Sequence, residues 1–270
     1  MIVTIVTPTL NAVAYLKECI ESARANATRD IEIEHVIVDG GSTDGTVELA
    51  LSCGLRVLQG KDSGIFDAIN KGSFNSSGEL LGFLGADDVM LEGAAAAVVK
   101  AYRESRRRWV VGAIRWTDAK GHSLGGLAAP PNWVTPAMLA CLGWNPIMHM
   151  ATYFSRSFFE ELGGFDIAYK DAGDYDMFCR ALTKEPYGRI DRPIACFRRT
   201  GVNNSAIHGS RTTAECARIL TQHGPSSNAQ RLLWRFLLKG YFNLGNPDWL
   251  LSKVADSTRT TLKLQPKAHF

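Results

Sequence analysis

Residues 80–90 read LLGFLGADDVM: an apolar run, two adjacent carboxylates, then apolar residues again. A short apolar run closed by glycine and acids suits a buried strand that ends at the surface. Asp87 and Asp88 at that end repel each other, and burying either without a partner is costly. Either the pair lies in a solvated turn, where Asp is common, or a cation is meant to sit against it. Consecutive side chains at a strand end point to opposite sides, so the two acids are expected to serve different partners.

Toward the N-terminus the same layout recurs. Ile2 to Val6 is β-branched and reads as a strand ended by Pro8. Val13, Leu16, Ile20 and Ala23 fall at helical spacing, which predicts a helix over 11–24. IEHVIVDGGSTDG (33–45) is a strand through Val38 with Asp39 at its end and a glycine-rich turn. Asp44 is the expected N-cap of a helix starting at Thr46. LRVL (55–58) is a third strand, and GIFDAINKG (64–72) a helix with Ile65, Ala68, Ile69 and Gly72 on one face.

Strands alternating with helices predict an α/β fold, a mostly parallel sheet covered by helices. The ligand crevice of such a sheet lies beyond the carboxyl ends of its strands. Thr7, Asp39 and the Asp87–Asp88 pair all fall at those ends.

The second half reads as a hairpin (WVVGAIRWTD, then AKGH) and a Pro/Trp-rich loop over 130–146. A strand (MATYFSR), two helices (SFFEELGG and GDYDMFCRALTKE) and a last strand (RPIACFRR) follow. One mixed α/β domain is expected over 1–205, with a helical extension over 206–270.

With 270 residues, 46% of them hydrophobic, the chain can bury a full core. A net charge of +3 is too small to argue for nucleic acid, and no such partner is expected. The six cysteines form no C-x-x-C pair, which suits a reduced, cytoplasmic chain. MIVTIVTPTLN has no basic leader or cleavage site, and no apolar run is long enough for a bilayer. Any membrane contact is expected from the side, at the inner face of the plasma membrane.

Several residue types in this pattern carry chemistry. A hard cation, Mg²⁺ or Mn²⁺, needs only one or two protein carboxylates when phosphates complete its shell. Asp39 either accepts a ring N–H of a nucleobase or shapes its own turn. GGSTDG is not G-x-G-x-x-G and no P-loop is present, which disfavours NAD and ATP sites. Asp174 and Asp176 flank Tyr175, and residues two apart do not share a helix face, so one of them is expected in a site. Asp174 is either a helix cap or a general base. In RLLWRFLLKGYF (231–242), Arg231, Arg235 and Lys239 form a basic stripe beside Leu232, Leu233, Trp234, Phe236 and Leu237. That helix either packs on the domain or lies peripherally on an anionic membrane.

Taken in order, TPTLN, VDGGSTDGT, KDSGIFDAINKG, FLGADD, H-x-A-T-Y-F, LGGFD and GDYDMFCR resemble the family 2 glycosyltransferases of GT-A fold. The likeness covers about residues 1–205 and points to bacterial members that build polysaccharides. It implies a Rossmann-like mixed sheet and inverting transfer from a nucleotide-diphosphate sugar, a UDP-sugar first, to a glycan or lipid-linked acceptor. It also implies a divalent cation, Mg²⁺ or Mn²⁺.

By the same resemblance Thr7 and Pro8 line the nucleotide pocket, Asp39 bonds the base and Asp87 lies near the ribose or its metal-side neighbours. Asp88 touches the metal, and Asp174 is the catalytic base. Gly173 stands where the family usually has glutamate, and Ile69 where many relatives have arginine, with Lys71 or Lys61 as substitutes for its charge. His149 matches a histidine that binds metal, diphosphate or acceptor, or is structural. The rival readings are a sugar nucleotidyltransferase and a non-catalytic nucleotide-sugar-binding module. TPTLN lacks the glycine-rich basic loop of the first, and the acids are all present against the second.

Overall fold

The computed structural model describes residues 1–200 and 209–246. The strands are β1 (Ile2–Thr9), β2 (Glu32–Asp39), β3 (Arg56–Gln59), β4 (Leu80–Phe83), β5 (Val89–Met90), β6 (Trp109–Asp118), β7 (Ser123–Leu127), β8 (Thr152–Ser155) and β9 (Gly188–Arg199). The helices are α1 (Val13–Arg24), α2 (Thr46–Ser52), α3 (Ile65–Phe74), α4 (Ala94–Ser105), α5 (Pro136–Ala140), α6 (Arg156–Glu161), α7 (Gly173–Lys184), α8 (Gly209–His223) and α9 (Asn228–Gly245).

All nine strands join one mixed sheet in the order β3-β2-β1-β4-β8-β6-β9-β5, with β7 hairpinned onto β6. The β3-β2-β1-β4 half is parallel, as the alternating sequence predicts. β8 runs antiparallel to both β4 and β6, and so turns the sheet into its mixed half. α4, an alanine-rich helix between β5 and β6, has no counterpart in the sequence reading.

Pro8 does not end the first strand, which runs on to Thr9. The Val6 carbonyl accepts the Leu84 N–H, so even-numbered residues of β1 present their backbone toward β4. β4 stops at Phe83, opposite Val6, so the missing N–H of Pro8 faces a side with no strand partner. Pairing with β2 continues undisturbed through Thr9 and Asp39.

The core between sheet and helices is aromatic. Trp109 stacks on Phe154 at 5.4 Å and 3°, and Phe154 on Phe178 at 6.3 Å. α3 lies tightly on the sheet at Gly72, where a Cβ would come within 2.4 Å of Val6 and 2.9 Å of Val38. α8 and α9 fold back onto this body, burying Cys216, Ile219, Leu238 and Phe242. The boundary expected near residue 205 lies outside the described residues. Among the described residues no helix is long and apolar enough to cross a membrane.

Candidate functional site at the carboxyl edge of the sheet

The parallel strands β1, β2 and β4 open onto one edge, and the expected acids are distributed along it. Asp87 and Asp88 sit past the end of β4, in the turn leading to β5, and the Asp88 N–H donates to the Gly85 carbonyl at 3.0 Å. The opposite-facing geometry of a strand therefore does not apply. A Cβ on Gly85 would lie 2.6 Å from Asp88 Oδ2 and 3.1 Å from Asp87 Oδ1, so both carboxylates close in on this glycine.

Their exposures differ. Asp88, expected to meet a metal, is buried and accepts the Arg198 N–H on Oδ1 at 3.1 Å, while Asp87 is half-buried and reachable. Burial, with Asp87 beside it, pushes the Asp88 carboxyl well above the ordinary carboxylate range. Two acids gathered at one glycine suit a divalent cation, whose charge would offset their repulsion. Among the described residues no third His, Cys, Asp or Glu completes a metal cluster, so phosphate or water oxygens would fill the remaining positions.

Arg198 organises this turn, and the sequence reading missed it. Its Nε donates to the Asp87 carbonyl at 3.0 Å and its Nη1 to the Ala119 carbonyl at 3.2 Å. It also pairs with Glu18 and stacks over Tyr15. Its only local signal is a second arginine at the end of an apolar strand.

Asp39 is 1% exposed and carries four hydrogen bonds. Oδ1 accepts the N–H groups of Gly41 and Ser42, at 3.0 and 2.8 Å. Oδ2 accepts the hydroxyls of Ser42 and Thr9, at 2.5 and 2.9 Å. Burial raises its carboxyl, but these bonds outweigh that and hold it below the usual range. The turn-forming alternative is thus the one seen, and a base reaching Asp39 must displace a hydroxyl.

Thr7 presents no surface at the sheet edge. It is wholly buried, and its hydroxyl pairs with His35 Nε2 at 2.9 Å. Pro8 is half-buried at the edge. Asp44 is not the N-cap, which is Gly45; it accepts the N–H groups of Thr46 and Val13 and so ties the starts of α2 and α1 together.

Lys71 reaches back from α3 to Asp67 at 3.0 Å and to the Lys61 carbonyl at 2.9 Å, which occupies its ammonium locally. Asn70 bridges to the LGGFD turn: its amide donates to the Phe165 carbonyl at 2.8 Å and accepts the Phe165 N–H at 2.9 Å.

Asp174 does not cap α7, because Ala172 holds that position. It lies in the first turn, where the helix dipole favours a negative charge, and its Oδ1 accepts the Tyr175 N–H at 2.7 Å. Its Oδ2 is 3.9 Å from His149 Nδ1, with side chains 18% and 22% exposed. Burial pushes the Asp174 carboxyl up to about 6 and the His149 imidazole down to about 4. Asp176 turns away to Arg180 at 2.7 Å and to His223, in a separate cleft of about 480 Å³. The two acids thus face different surroundings, as the spacing predicts.

A partly exposed carboxyl that titrates at about 6, beside a neutral imidazole, has the chemistry to accept a proton from a hydroxyl. The profile of "Glycosyl transferase family 2" matches residues 4–163, which include both the TPTLN strand and the acidic turn. The chain belongs to glycosyl transferase family 2. The transferase is 30% identical over 195 residues to the PGL/p-HBAD biosynthesis glycosyltransferase of Mycobacterium tuberculosis, covering 67% of this chain and 69% of that one.

Its fold matches GT-A structures. That of Staphylococcus aureus TarS 1–349 with UDP-GlcNAc superposes with a TM-score of 0.65 at 15% identity, covering 87% of this chain and 70% of TarS 1–349. That of the mannosyltransferase PcManGT from Pyrobaculum calidifontis, with GDP-Man and Mn²⁺, superposes at 0.58 with 19% identity, covering 96% and 75%. The glycosyltransferase is thus an α/β enzyme with a mixed sheet and C-terminal helices.

Proposed function

We propose that this glycosyltransferase inverts the anomeric centre of a nucleotide-diphosphate sugar, a UDP-sugar first, in transfer to a hydroxyl of a glycan or lipid-linked acceptor. The observation that carries the reading is Asp174: a partly exposed carboxylate with its pKa near 6, beside a neutral His149. A general base acts best when its pKa lies near the working pH. Asp174 takes the acceptor hydroxyl proton as that oxygen attacks the anomeric carbon. The bond from that carbon to the diphosphate oxygen breaks, and the diphosphate leaves with the electron pair. His149, without charge, orients the carboxylate or the acceptor hydroxyl.

Asp87 and Asp88 would hold Mg²⁺ or Mn²⁺, and the ion when bound supplies positive charge for the leaving diphosphate. The approach of both carboxylates to Gly85 supports this, with Asp87 as the reachable ligand and Asp88 behind it. Asp39 acts on the base chiefly through the turn that it shapes, together with Pro8.

The test is a panel of UDP-glucose, UDP-N-acetylglucosamine, GDP-mannose and dTDP-rhamnose, each with Mg²⁺, Mn²⁺ or chelator. Metal-dependent donor hydrolysis or thermal stabilisation by one member is expected. Release of pyrophosphate from a nucleoside triphosphate and a sugar phosphate would instead support the nucleotidyltransferase reading.

The acceptor side extends to α9. Leu232, Leu233, Phe236 and Leu237 are exposed there, while Leu238 and Phe242 pack inward. With Arg231, Arg235 and Lys239 on the same helix, this supports peripheral contact with an anionic membrane, at the inner face of the plasma membrane. Co-sedimentation with phosphatidylglycerol vesicles should fall for Phe236→Ser/Leu237→Ser; equal binding by the parent and the variant counts against the contact.

A further inference from the structure

The turn before α7 is held from outside its own segment. Three consecutive N–H groups, of Lys170, Asp171 and Ala172, donate to the Glu215 carboxylate at 2.8, 2.9 and 2.8 Å. Backbone donors at a helix start have no intrahelical acceptors, and Ala172 at the cap has no side-chain oxygen to offer. Glu215 comes from α8, more than forty residues along the chain. α8 also grips the turn through Arg211, which forms two 2.6 Å bonds to the Asp171 carboxylate. At the next residue, a Cβ on Gly173 would lie 2.6 Å from the Phe66 ring. Position 173 thus has no room for a side chain that could do this work from within α7.

We propose that Glu215 is a positioning residue for Asp174: by collecting the three N–H groups that precede α7, it sets the direction in which Asp174 enters the site. The inference rests on Asp174 being the base. Glu215 also faces Asp174 as a negative charge, adding to burial in raising that carboxyl. Among the described residues, His149, held neutral, and Cys216 of α8, whose thiol burial pushes up to about 11, also face Asp174.

The test compares full-length parent, Glu215→Gln, Glu215→Ala and Asp174→Asn. It reads pH–rate profiles for hydrolysis of UDP-N-acetylglucosamine and the other members of the donor panel, and the carbon-13 titration of the Asp174 carboxyl. Glu215→Ala should lower kcat by roughly 10–100-fold, with KM for the donor within about twofold. Glu215→Gln keeps an acceptor oxygen but loses the charge. It should lose less rate, and both its acid limb and its Asp174 titration should move to lower pH.

Wild-type kcat and an unmoved Asp174 titration in both Glu215 variants would overturn the inference. If Glu215→Ala does not fold, the titration of Glu215→Gln decides alone. An inactive Asp174→Asn beside fully active Glu215 variants removes the positioning role only. An Asp174→Asn enzyme as fast as the parent removes the base, and this inference with it.

Discussion

Asp174 Oδ2 lies 3.9 Å from His149 Nδ1, yet at neutral pH the two are not an ion pair. Burial disfavours charge on both, moving the carboxyl up to about 6 and the imidazole down to about 4. Above pH 6 the pair is therefore a carboxylate beside a neutral ring. That is the state in which a base can accept a proton and a neighbour does not neutralise it.

Asp174→Asn should lower transfer by roughly 10²–10⁴-fold, the usual contribution of a general base. Donor affinity by calorimetry should not change. The same variant should be more stable than the parent at pH 7.5, by about 1–3 kcal/mol in urea melts, because a buried carboxyl with a raised pKa destabilises the fold once ionised. A destabilised, fully active variant would contradict both parts.

The rate should decline as pH falls below about 6, when Asp174 becomes protonated. Stability follows two opposed slopes. Asp174, raised from 3.8 to about 6, contributes stability that is present at low pH and lost as pH rises through about 6. His149, lowered from 6.5 to about 4, contributes stability that is present above 6.5 and lost as pH falls through about 4. Relative to the parent, His149→Asn should therefore gain stability on going from pH 6.5 to 4.5, and Asp174→Asn on going from pH 4.5 to 6.5. Urea midpoints at those two pH values check the signs.

Asp87→Ala should weaken donor binding about tenfold in Mn²⁺ and leave it insensitive to chelator. Asp88→Ala should in addition destabilise the protein by about 1–3 kcal/mol, because the Arg198 N–H loses its buried acceptor. Calorimetry with and without chelator, paired with urea melts, separates the two. Full metal sensitivity in Asp87→Ala would shift the ion's contact to Asp88 alone.

Gly72→Ala should destabilise the fold by about 1–3 kcal/mol through overpacking, despite the better helix propensity of alanine. The new methyl would meet Val6 at 2.4 Å and Val38 at 2.9 Å, on strands that cannot withdraw. Donor affinity per folded molecule should not change. An unchanged melting midpoint would show that α3 can shift away from the sheet.

The parallel half of the sheet was legible because its signals are local. Strand and helix periods, and the glycines and acids that punctuate them, all fall within a few residues. α4 escaped notice although its spacing is equally local. The apolar face of α9 was legible as a pattern, but whether it packs inward was not, and the structure turns Leu238 and Phe242 to the core instead.

At the site, the sequence by itself determined which acids exist and that Asp174 and Asp176 would diverge on a helix. Tertiary structure alone decided what each acid does. Asp39 became a turn's keystone because Thr9 and Ser42 meet it, and Asp88 went inside because Arg198 closes over the turn. The Asp174 carboxyl rises to about 6 because the fold buries it, with the charge of Glu215 adding from a remote segment. The physical reason is that a carboxylate's charge state and accessibility depend on desolvation and hydrogen-bond partners, and these come from chain neighbours in space that no local pattern encodes.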